Sequence, residues 1–265
     1  MTGAPFELVG DGATAEDLGI VLVHGFTGTP FEMRYLGEHL ARQGFSVRAP
    51  LLPGHGTTID ELDRTTWSDW ADAVERAADA MRDRCARVAV IGQSLGGLLA
   101  LHLGSRRPDL AAIGALATPL WLPWLAARVA ASTQGGLLRG VRAIPKLGGS
   151  DVRDRRVRAE NPCYGAIPTR ALGHLLAFMR IVDDALPLVA PPVLVLHGAR
   201  DHTAPVACAS RIAARARARR LRILPRSYHL IAADVEREVV AAEVTSFVRG
   251  SAEPSAPPHP PQPRS

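Results

Sequence analysis

Cysteines are few in this 265-residue chain: Cys85, Cys163 and Cys208 lie far apart, and none belongs to a Cys-x-x-Cys pair. This number and spacing argue against a disulfide framework and against a cysteine-based metal site, so we expect no metal. Widely spaced thiols suit a reducing compartment. No positively charged segment precedes an apolar run near residue 1. We therefore expect no signal peptide and a cytoplasmic location.

Long apolar runs are also missing. One uncharged stretch, residues 110–127, approaches the length of a membrane span, but Pro119 and Pro123 interrupt it. We predict no transmembrane segment, and leave transient contact with a membrane surface open. Hydrophobic residues make up 47% of the chain and charged residues 22%, an ordinary globular balance. The length suits one large α/β domain, as a monomer or homodimer, which needs no disulfide or metal for stability.

Lysine is nearly absent, since Lys146 is the only one, and arginine supplies the rest of the +5 net charge. Residues 139–158 hold seven basic and two acidic residues, and residues 211–222 hold six basic residues and no acid. No interleaved aromatic pattern and no known nucleic-acid-binding motif accompanies them. We predict solvated surfaces rather than a nucleic-acid partner.

Strand and helix patterns alternate along most of the chain. The predicted strands are residues 19–23, 45–49, 87–91, 112–117, 192–196 and 221–224, and the predicted helices are residues 31–42, 66–84, 95–105, 207–218 and 235–248. This alternation predicts a mostly parallel central sheet with helices on both faces. Residues 119–185 show no sharp strand, which indicates an insertion over one end of the sheet. Residues 251–265 are proline-rich, and this composition predicts a disordered tail.

One motif predicts a nucleophilic serine. Gly92-Gln93-Ser94-Leu95-Gly96 follows a predicted strand and opens a predicted helix. In this context a G-x-S-x-G turn is so tight that only small residues fit beside the serine, whose hydroxyl is exposed at the sheet edge. The alternative is an ordinary glycine-rich turn in which Ser94 caps the helix.

A serine hydroxyl needs a base, and the base needs an orienting acid. Of nine histidines, His229 follows the last predicted strand, at the same edge as Ser94. Asp201 follows the strand 192–196 and is the predicted acid; Asp183 and Asp184 compete but precede that strand. The order Ser94, Asp201, His229 is that of α/β-hydrolases.

An oxyanion hole needs two N–H donors aimed at one point. One should come from Leu95, directly after the serine. The other should come from the loop His24-Gly25-Phe26-Thr27-Gly28, where we predict Phe26 as the donor.

Together these stretches resemble the bacterial carboxylesterase and monoacylglycerol lipase branch of the α/β-hydrolase superfamily. The matching segments are VLVHGFTGTPFEMRYLGEHL (21–40), APLLPGHGTT (49–58), TTWSDW (65–70), IGQSLGG (91–97), LHGARDHTAP (196–205) and RSYHLIAADVE (226–236). The resemblance implies an α/β-hydrolase domain over residues 1–250. It also implies a small cap at about 119–175 and a cofactor-free esterase acting on acyl esters or monoacylglycerols.

The resemblance assigns Ser94 as nucleophile, Asp201 as acid, His229 as base, and Phe26 and Leu95 as oxyanion donors. Within the cap, Trp121 and Trp124 stand among leucines, and we predict that at least one lines an acyl pocket; packing of the cap onto the core is the alternative. Other activities stay open on this scaffold: acyltransferase, thioesterase, C–C hydrolase, or a non-catalytic receptor.

Overall fold

The computed structural model describes residues 3–10, 18–138, 140–146 and 148–252. Residues 253–265 of the predicted tail lie outside this part, while Ser251 and Ala252 belong to the last helix. The strands are β1 (Phe6–Leu8), β2 (Leu18–Val23), β3 (Ser46–Ala49), β4 (Arg87–Gln93), β5 (Ala112–Leu116), β6 (Ala143–Pro145), β7 (Ala166–Pro168), β8 (Val193–Gly198) and β9 (Arg220–Leu224). The helices are α1 (Phe31–Arg42), α2 (Ile59–Arg64), α3 (Trp67–Arg82), α4 (Leu95–Arg106), α5 (Trp124–Gly135), α6 (Arg155–Glu160), α7 (Thr169–Ala185), α8 (Ala207–Arg215) and α9 (Arg237–Ala252).

The central sheet has seven strands among the described residues, in the order β1-β3-β2-β4-β5-β8-β9. All neighbours are parallel except β1, which pairs antiparallel with β3. This confirms the predicted mostly parallel sheet. The short edge strand β1 was not predicted, because three residues carry too little periodicity.

Helices cover both faces of the sheet, as β2 illustrates. Ile20 and Leu22 belong to the apolar core shared with α1 and α9, whereas Val21 and Val23 belong to the core shared with α3, α4, α7 and α8. Every residue of β2 is buried, as expected for a strand covered on both sides. Parallel strands end at one edge of the sheet, so the loops after β2, β4, β8 and β9 meet there.

Several helices follow the sequence pattern closely. The structure has α1 over the same residues as predicted. For α3 the prediction began one residue early, because Thr66 is the N-cap: its side chain accepts from the Asp69 N–H, and Asp69 Oδ2 accepts from the Thr66 N–H at 2.8 Å.

The segment between β5 and β8 forms the insertion. It contains α5, the antiparallel pair β6–β7, α6 and α7. No strand was predicted here, so β6 and β7 differ from the expectation. The 17-residue α7 runs beyond the predicted cap boundary at 175 and packs on the core, where the Phe178 ring stacks on Trp67 with centroids 5.3 Å apart.

The arginines of residues 211–222 largely form ion pairs on the surface. Arg211 and Arg215 approach Asp183 at 2.7 and 3.6 Å, and Arg220 and Arg222 both pair with Glu243. Two carboxylates thus face four of the six arginines, and the segment keeps a net positive charge. Among the described residues, no helix is both long and apolar enough to cross a membrane.

The turn from β4 to α4 is the tightest point of the fold. A Cβ at Gly92 would lie 1.9 Å from the Gly96 carbonyl oxygen, and a Cβ at Gly96 would lie 2.1 Å from the Val23 carbonyl oxygen. Both contacts are with backbone, which cannot move aside as a side chain can. These two positions therefore require glycine.

We expect Gly92→Ala to lower the melting temperature by at least about 3 °C, because overpacking of this kind costs about 1–3 kcal/mol. The matched control is Gly135→Ala, since no atom lies within 4 Å of a Cβ there. Thermal melts of both variants test the expectation. Equal melting temperatures for Gly92→Ala and wild type would contradict it.

Candidate functional site

Ser94 stands at the turn between β4 and α4 with φ 56° and ψ −117°, outside the regions that non-glycine residues favour. Its N–H donates to the Leu116 carbonyl at 2.8 Å, which fixes the strained residue to β5. The side chain lies at the carboxyl edge of the sheet and lines a cavity. The local geometry is that of a strained strand-to-helix turn presenting a serine hydroxyl.

The loop after β2 passes directly beside this serine. A Cβ on Gly25 would lie 3.3 Å from Ser94 Cβ, so the glycine lets the loop approach. Phe26 follows and lines the cavity, with its ring edge-on to Trp70 at 5.6 Å. Leu95 is the first residue of α4, and an N–H at that position has no partner within its helix.

A buried carboxylate that the sequence analysis missed supports this loop. Glu32, on α1, is 3% exposed and accepts a hydrogen bond from the Gly25 N–H at 3.2 Å. The Asn161 amide of the insertion donates to its other oxygen at 3.4 Å. Burial raises the pKa of Glu32 despite these donors and the nearby Lys146 charge. Lys146 itself contacts the Thr27 hydroxyl.

Asp201 and His229 meet as the sequence order predicts. His229 Nδ1 lies 2.8 Å from Asp201 Oδ2. The N–H groups of Thr203 and Ala204 donate to Asp201 Oδ1 at 2.8 and 2.7 Å. The Asp201 side chain is fully buried, at 0% exposure, so these donors replace the water it lacks.

The charges of this pair shift both pKa values. Burial would raise the pKa of Asp201, but the His229 charge and the donated hydrogen bonds bring it well below its ordinary value. Burial would lower the pKa of His229, but the carboxylate of Asp201, followed by those of Asp151 and Glu32, raises it overall. The pair is therefore an oriented imidazole beside a fixed negative charge.

Two further acids hold the His229 loop against the insertion. The Asp151 carbonyl accepts from the N–H groups of His229 and Leu230, both at 3.1 Å. Asp234 is fully buried; its Oδ1 accepts from the N–H groups of Arg153 and Asp154, and its Oδ2 from that of Tyr228. Neither acid was predicted, because nothing local in the sequence shows which distant N–H groups they meet.

The other candidate acids lie away from His229, and the pKa values of two other candidate histidines are lowered. Asp183 pairs with Arg211, and Asp184 is exposed on α7. Burial lowers the pKa of His24 to about 3 and that of His55 to about 4. These two histidines brace the loops around the site.

A cavity of about 610 Å³ joins the predicted site residues Phe26, Ser94 and His229. Apolar lining comes mainly from the α5 and α7 regions, namely Leu122, Pro123, Ala126, Leu172, Leu175 and Met179. Polar lining comes from the loop after β2, from α1 and from residues 146–158, including Thr27, Glu32, Lys146, Ser150, Asp151 and Arg158. Among the described residues, no group of three or more potential metal ligands is arranged to bind an ion.

The positions of Trp121 and Trp124 differ from the prediction that at least one of them lines an acyl pocket. They are 38% and 72% exposed, and neither lines the cavity. Their neighbours Leu122 and Pro123 line it instead. Clustering in the sequence did not reveal that α5 begins at Trp124 and places its side chain at the surface.

The described geometry agrees with comparisons to known proteins. A family model described as serine aminopeptidase, S33, matches residues 15–236. The chain belongs to this α/β-hydrolase family. It is 36% identical over 188 residues to the thermostable monoacylglycerol lipase of Bacillus sp. (strain H-257), covering 71% of this chain and 72% of that protein. It is 26% identical over 251 residues to the carboxylesterase of Bacillus subtilis (strain 168), covering 94% and 97%.

Solved structures agree on the fold. A structure reported under the heading of LipS and LipT, two metagenome-derived lipolytic enzymes, matches with TM-score 0.84 and 28% identity over 94% of this chain and 98% of that one. The Paleococcus ferrophilus monoacylglycerol lipase matches with TM-score 0.75 at 19% identity over 93% and 98%, a likeness of fold. The chain is thus a hydrolase of the esterase and lipase branch, as the sequence resemblance implied.

We expect the pKa of His229 to lie above the ordinary value of about 6.5. With Asp201→Asn the negative charge is gone, burial dominates, and the pKa should fall below 6.5. In wild type, the stability from this shift is present below pH 6.5 and is lost as pH rises through the folded value. Histidine NMR titrations measure both pKa values. Asp183→Asn serves as the control, and a wild-type pKa below 6.5 would contradict the expectation.

Proposed function

We propose that the protein hydrolyses carboxylic esters, with Ser94 as nucleophile, His229 as general base and Asp201 as its orienting acid. One observation carries the proposal. The His229 imidazole is bonded to a buried carboxylate at 2.8 Å, and it lines the same cavity as the strained serine. A serine becomes a useful nucleophile only beside such an oriented base.

In the first half of the reaction, His229 Nε2 takes the proton of Ser94 Oγ as that oxygen bonds to the ester carbonyl carbon. The carbonyl oxygen gains negative charge, and the N–H groups of Leu95 and Phe26 stabilise it. The bond to the alcohol oxygen then breaks, and His229 returns the proton to the leaving alcohol. Asp201 stays ionised throughout and stabilises the imidazolium.

In the second half, water replaces the alcohol. His229 takes a proton from water as its oxygen bonds to the acyl carbon of the Ser94 ester. The second tetrahedral intermediate uses the same two N–H donors. It collapses to the free acid and regenerates the serine, which takes its proton back from His229. Every step uses only this chain and water.

The cavity lining supports a substrate with an apolar acyl chain and a hydroxylated alcohol. Leu172, Leu175 and Met179 of α7 offer an apolar surface, whereas Glu32 and Ser150 offer hydrogen-bonding groups. The volume, about 610 Å³, suits a medium-sized ligand. Together with the relatives' names, this supports short- or medium-chain acyl esters and monoacylglycerols. Acyl transfer, thioester or C–C cleavage stays an alternative with no specific observation in its favour, and the assembled site argues against a non-catalytic receptor.

Ser94→Ala should lower kcat/KM for p-nitrophenyl esters by up to about 10⁶-fold, and Asp201→Asn by about 10⁴-fold, as in serine proteases. Ser105→Ala, on the same helix, and Asp184→Asn should leave kcat/KM unchanged. Steady-state kinetics with melting curves measure this. A folded Ser94→Ala protein that keeps more than a few per cent of activity would refute the proposed nucleophile.

We also propose that an apolar surface beside the cavity contacts lipid bilayers. Six large apolar side chains in α5 and the segments beside it are exposed, and we call them the α5 surface: Trp121, Trp124, Leu125, Leu137, Leu138 and Val141. Residues 110–150 contain no acid and four basic residues, of which Arg128 and Arg142 are exposed. Aromatic and apolar side chains beside cations match the interface of an anionic bilayer. Lipid esters would then enter from the membrane beside α5.

Trp124→Ala should weaken binding to vesicles containing anionic lipid by about tenfold, since a buried tryptophan contributes about 1–2 kcal/mol. Val9→Ala, at a residue 64% exposed beside β1, is the control. Arg128→Glu should weaken binding to anionic vesicles more than to neutral ones. Co-sedimentation measures binding, and kcat/KM for a soluble short ester should stay unchanged. Equal binding by all variants would refute the membrane contact.

A further inference from the structure

A second histidine touches the predicted acid from inside the sheet. His197, near the end of β8, is 0% exposed. Its Nε2 lies 3.1 Å from Asp201 Oδ2 and 3.0 Å from the Ala204 carbonyl oxygen. Asp201 Oδ2 is the same oxygen that His229 Nδ1 contacts at 2.8 Å. One carboxylate oxygen therefore lies between two imidazole rings.

The surroundings of His197 decide where its hydrogen lies. Both atoms within hydrogen-bond distance of Nε2 are acceptors, so Nε2 carries a hydrogen. The opposite nitrogen, Nδ1, is buried without a hydrogen-bond partner among the described residues. A hydrogen on Nδ1 would be unsatisfied there and would leave two acceptors facing a bare Nε2.

Backbone groups of Ala204 link His197 to Asp201. The Ala204 N–H donates to Asp201 Oδ1 at 2.7 Å, while the Ala204 carbonyl accepts from His197. His197 also pairs with Ile223 of β9 in the sheet register. The imidazole is thus fixed to the sheet, and the turn 201–204 is fixed to the imidazole.

We propose that His197 is a positioning residue for the reaction: its Nε2–H holds Asp201 Oδ2 toward His229 and takes a share of that oxygen's negative charge. This rests on the proposed function of Ser94, Asp201 and His229. Thr203 and Ala204 fix only Oδ1 of the carboxylate. The Nε2–H is bonded to the Ala204 carbonyl and lies beside Oδ2. Without His197, His229 is the one remaining group within hydrogen-bond distance of Oδ2 among the contacts described, and the carboxylate is held less firmly toward His229.

Removal of the His197 donor has a predictable effect on pH dependence. The charged groups that face His229 are Asp201, Asp151 and Glu32, and all three raise its pKa. If His197 no longer shares Asp201 Oδ2, more of the negative charge acts on His229 and stabilises the imidazolium. The acid limb of kcat/KM, which needs the neutral base, should move to higher pH.

Two substitutions at His197 distinguish hydrogen-bond donation by Nε2 from packing of the ring. In His197→Gln the amide nitrogen falls about where Nε2 stood and can donate to the same oxygens, whereas in His197→Asn it falls about where Nδ1 stood and cannot. We expect His197→Asn to lose about tenfold or more in kcat/KM, since hydrogen bonds to charged groups are the stronger ones, and to shift the acid limb upward. For His197→Gln, kcat/KM should stay within about threefold of the wild-type value, and the acid limb of its pH profile should not shift.

The measurement is kcat/KM for a soluble p-nitrophenyl ester from about pH 5 to about pH 9. Melting curves accompany it, with His39→Gln as a distant control. If both variants melt earlier but keep the wild-type pH profile and rate, His197 only packs and the proposal is overturned. If His197→Asn does not fold, NMR of the wild-type imidazoles decides, since an Nδ1–H tautomer at His197 would overturn it. Full activity in Ser94→Ala would instead overturn the proposed function, whatever the His197 variants do.

Discussion

The backbone at Ser94 is held in a conformation that an isolated chain would avoid, at a cost of about 1–3 kcal/mol. The hydrogen bond to Leu116 on β5 holds the residue from one side. The close approach of Gly92 and Gly96 holds it from the other. The loop after β2 then packs through Gly25 against the serine itself. Because β5 and the loop after β2 both hold this residue, the conformation of Ser94 depends on the intact sheet.

Buried or half-buried carboxylates organise the loops around that point. Glu32 holds the loop after β2 through the Gly25 N–H, and Asp234 joins the insertion to the His229 loop. Asp201 is held in the same way by the N–H groups that follow it. In each case a carboxylate accepts backbone hydrogen bonds that a loop cannot satisfy within itself. Irregular segments thereby gain fixed positions without regular secondary structure.

The sequence predicted the parts of the molecule that depend on local patterns. The parallel strands, α1 and the chain order of Ser94, Asp201 and His229 all follow from periodicity and from the rule that strand ends meet at one edge. Glu32, Asp234 and His197 were not assigned roles, because their partners are distant N–H groups or a carboxylate that only the fold brings near. For α7 the signal was present: Leu172, Leu175, Met179 and Val182 recur at helical spacing and are buried. The prediction stopped at a cap boundary and did not follow that spacing.

The ties between the insertion and the His229 loop constrain how the cavity can open. Residues 151–154 are hydrogen-bonded to His229, Leu230 and Asp234. A rigid-lid movement of the whole insertion would pull the imidazole away from Ser94 each time a substrate entered. Helix α5 packs chiefly on α7 and contributes none of these bonds. The insertion is therefore divided into a fixed wall that is hydrogen-bonded to the His229 loop and a separate wall at α5, where the cavity can widen without breaking these bonds.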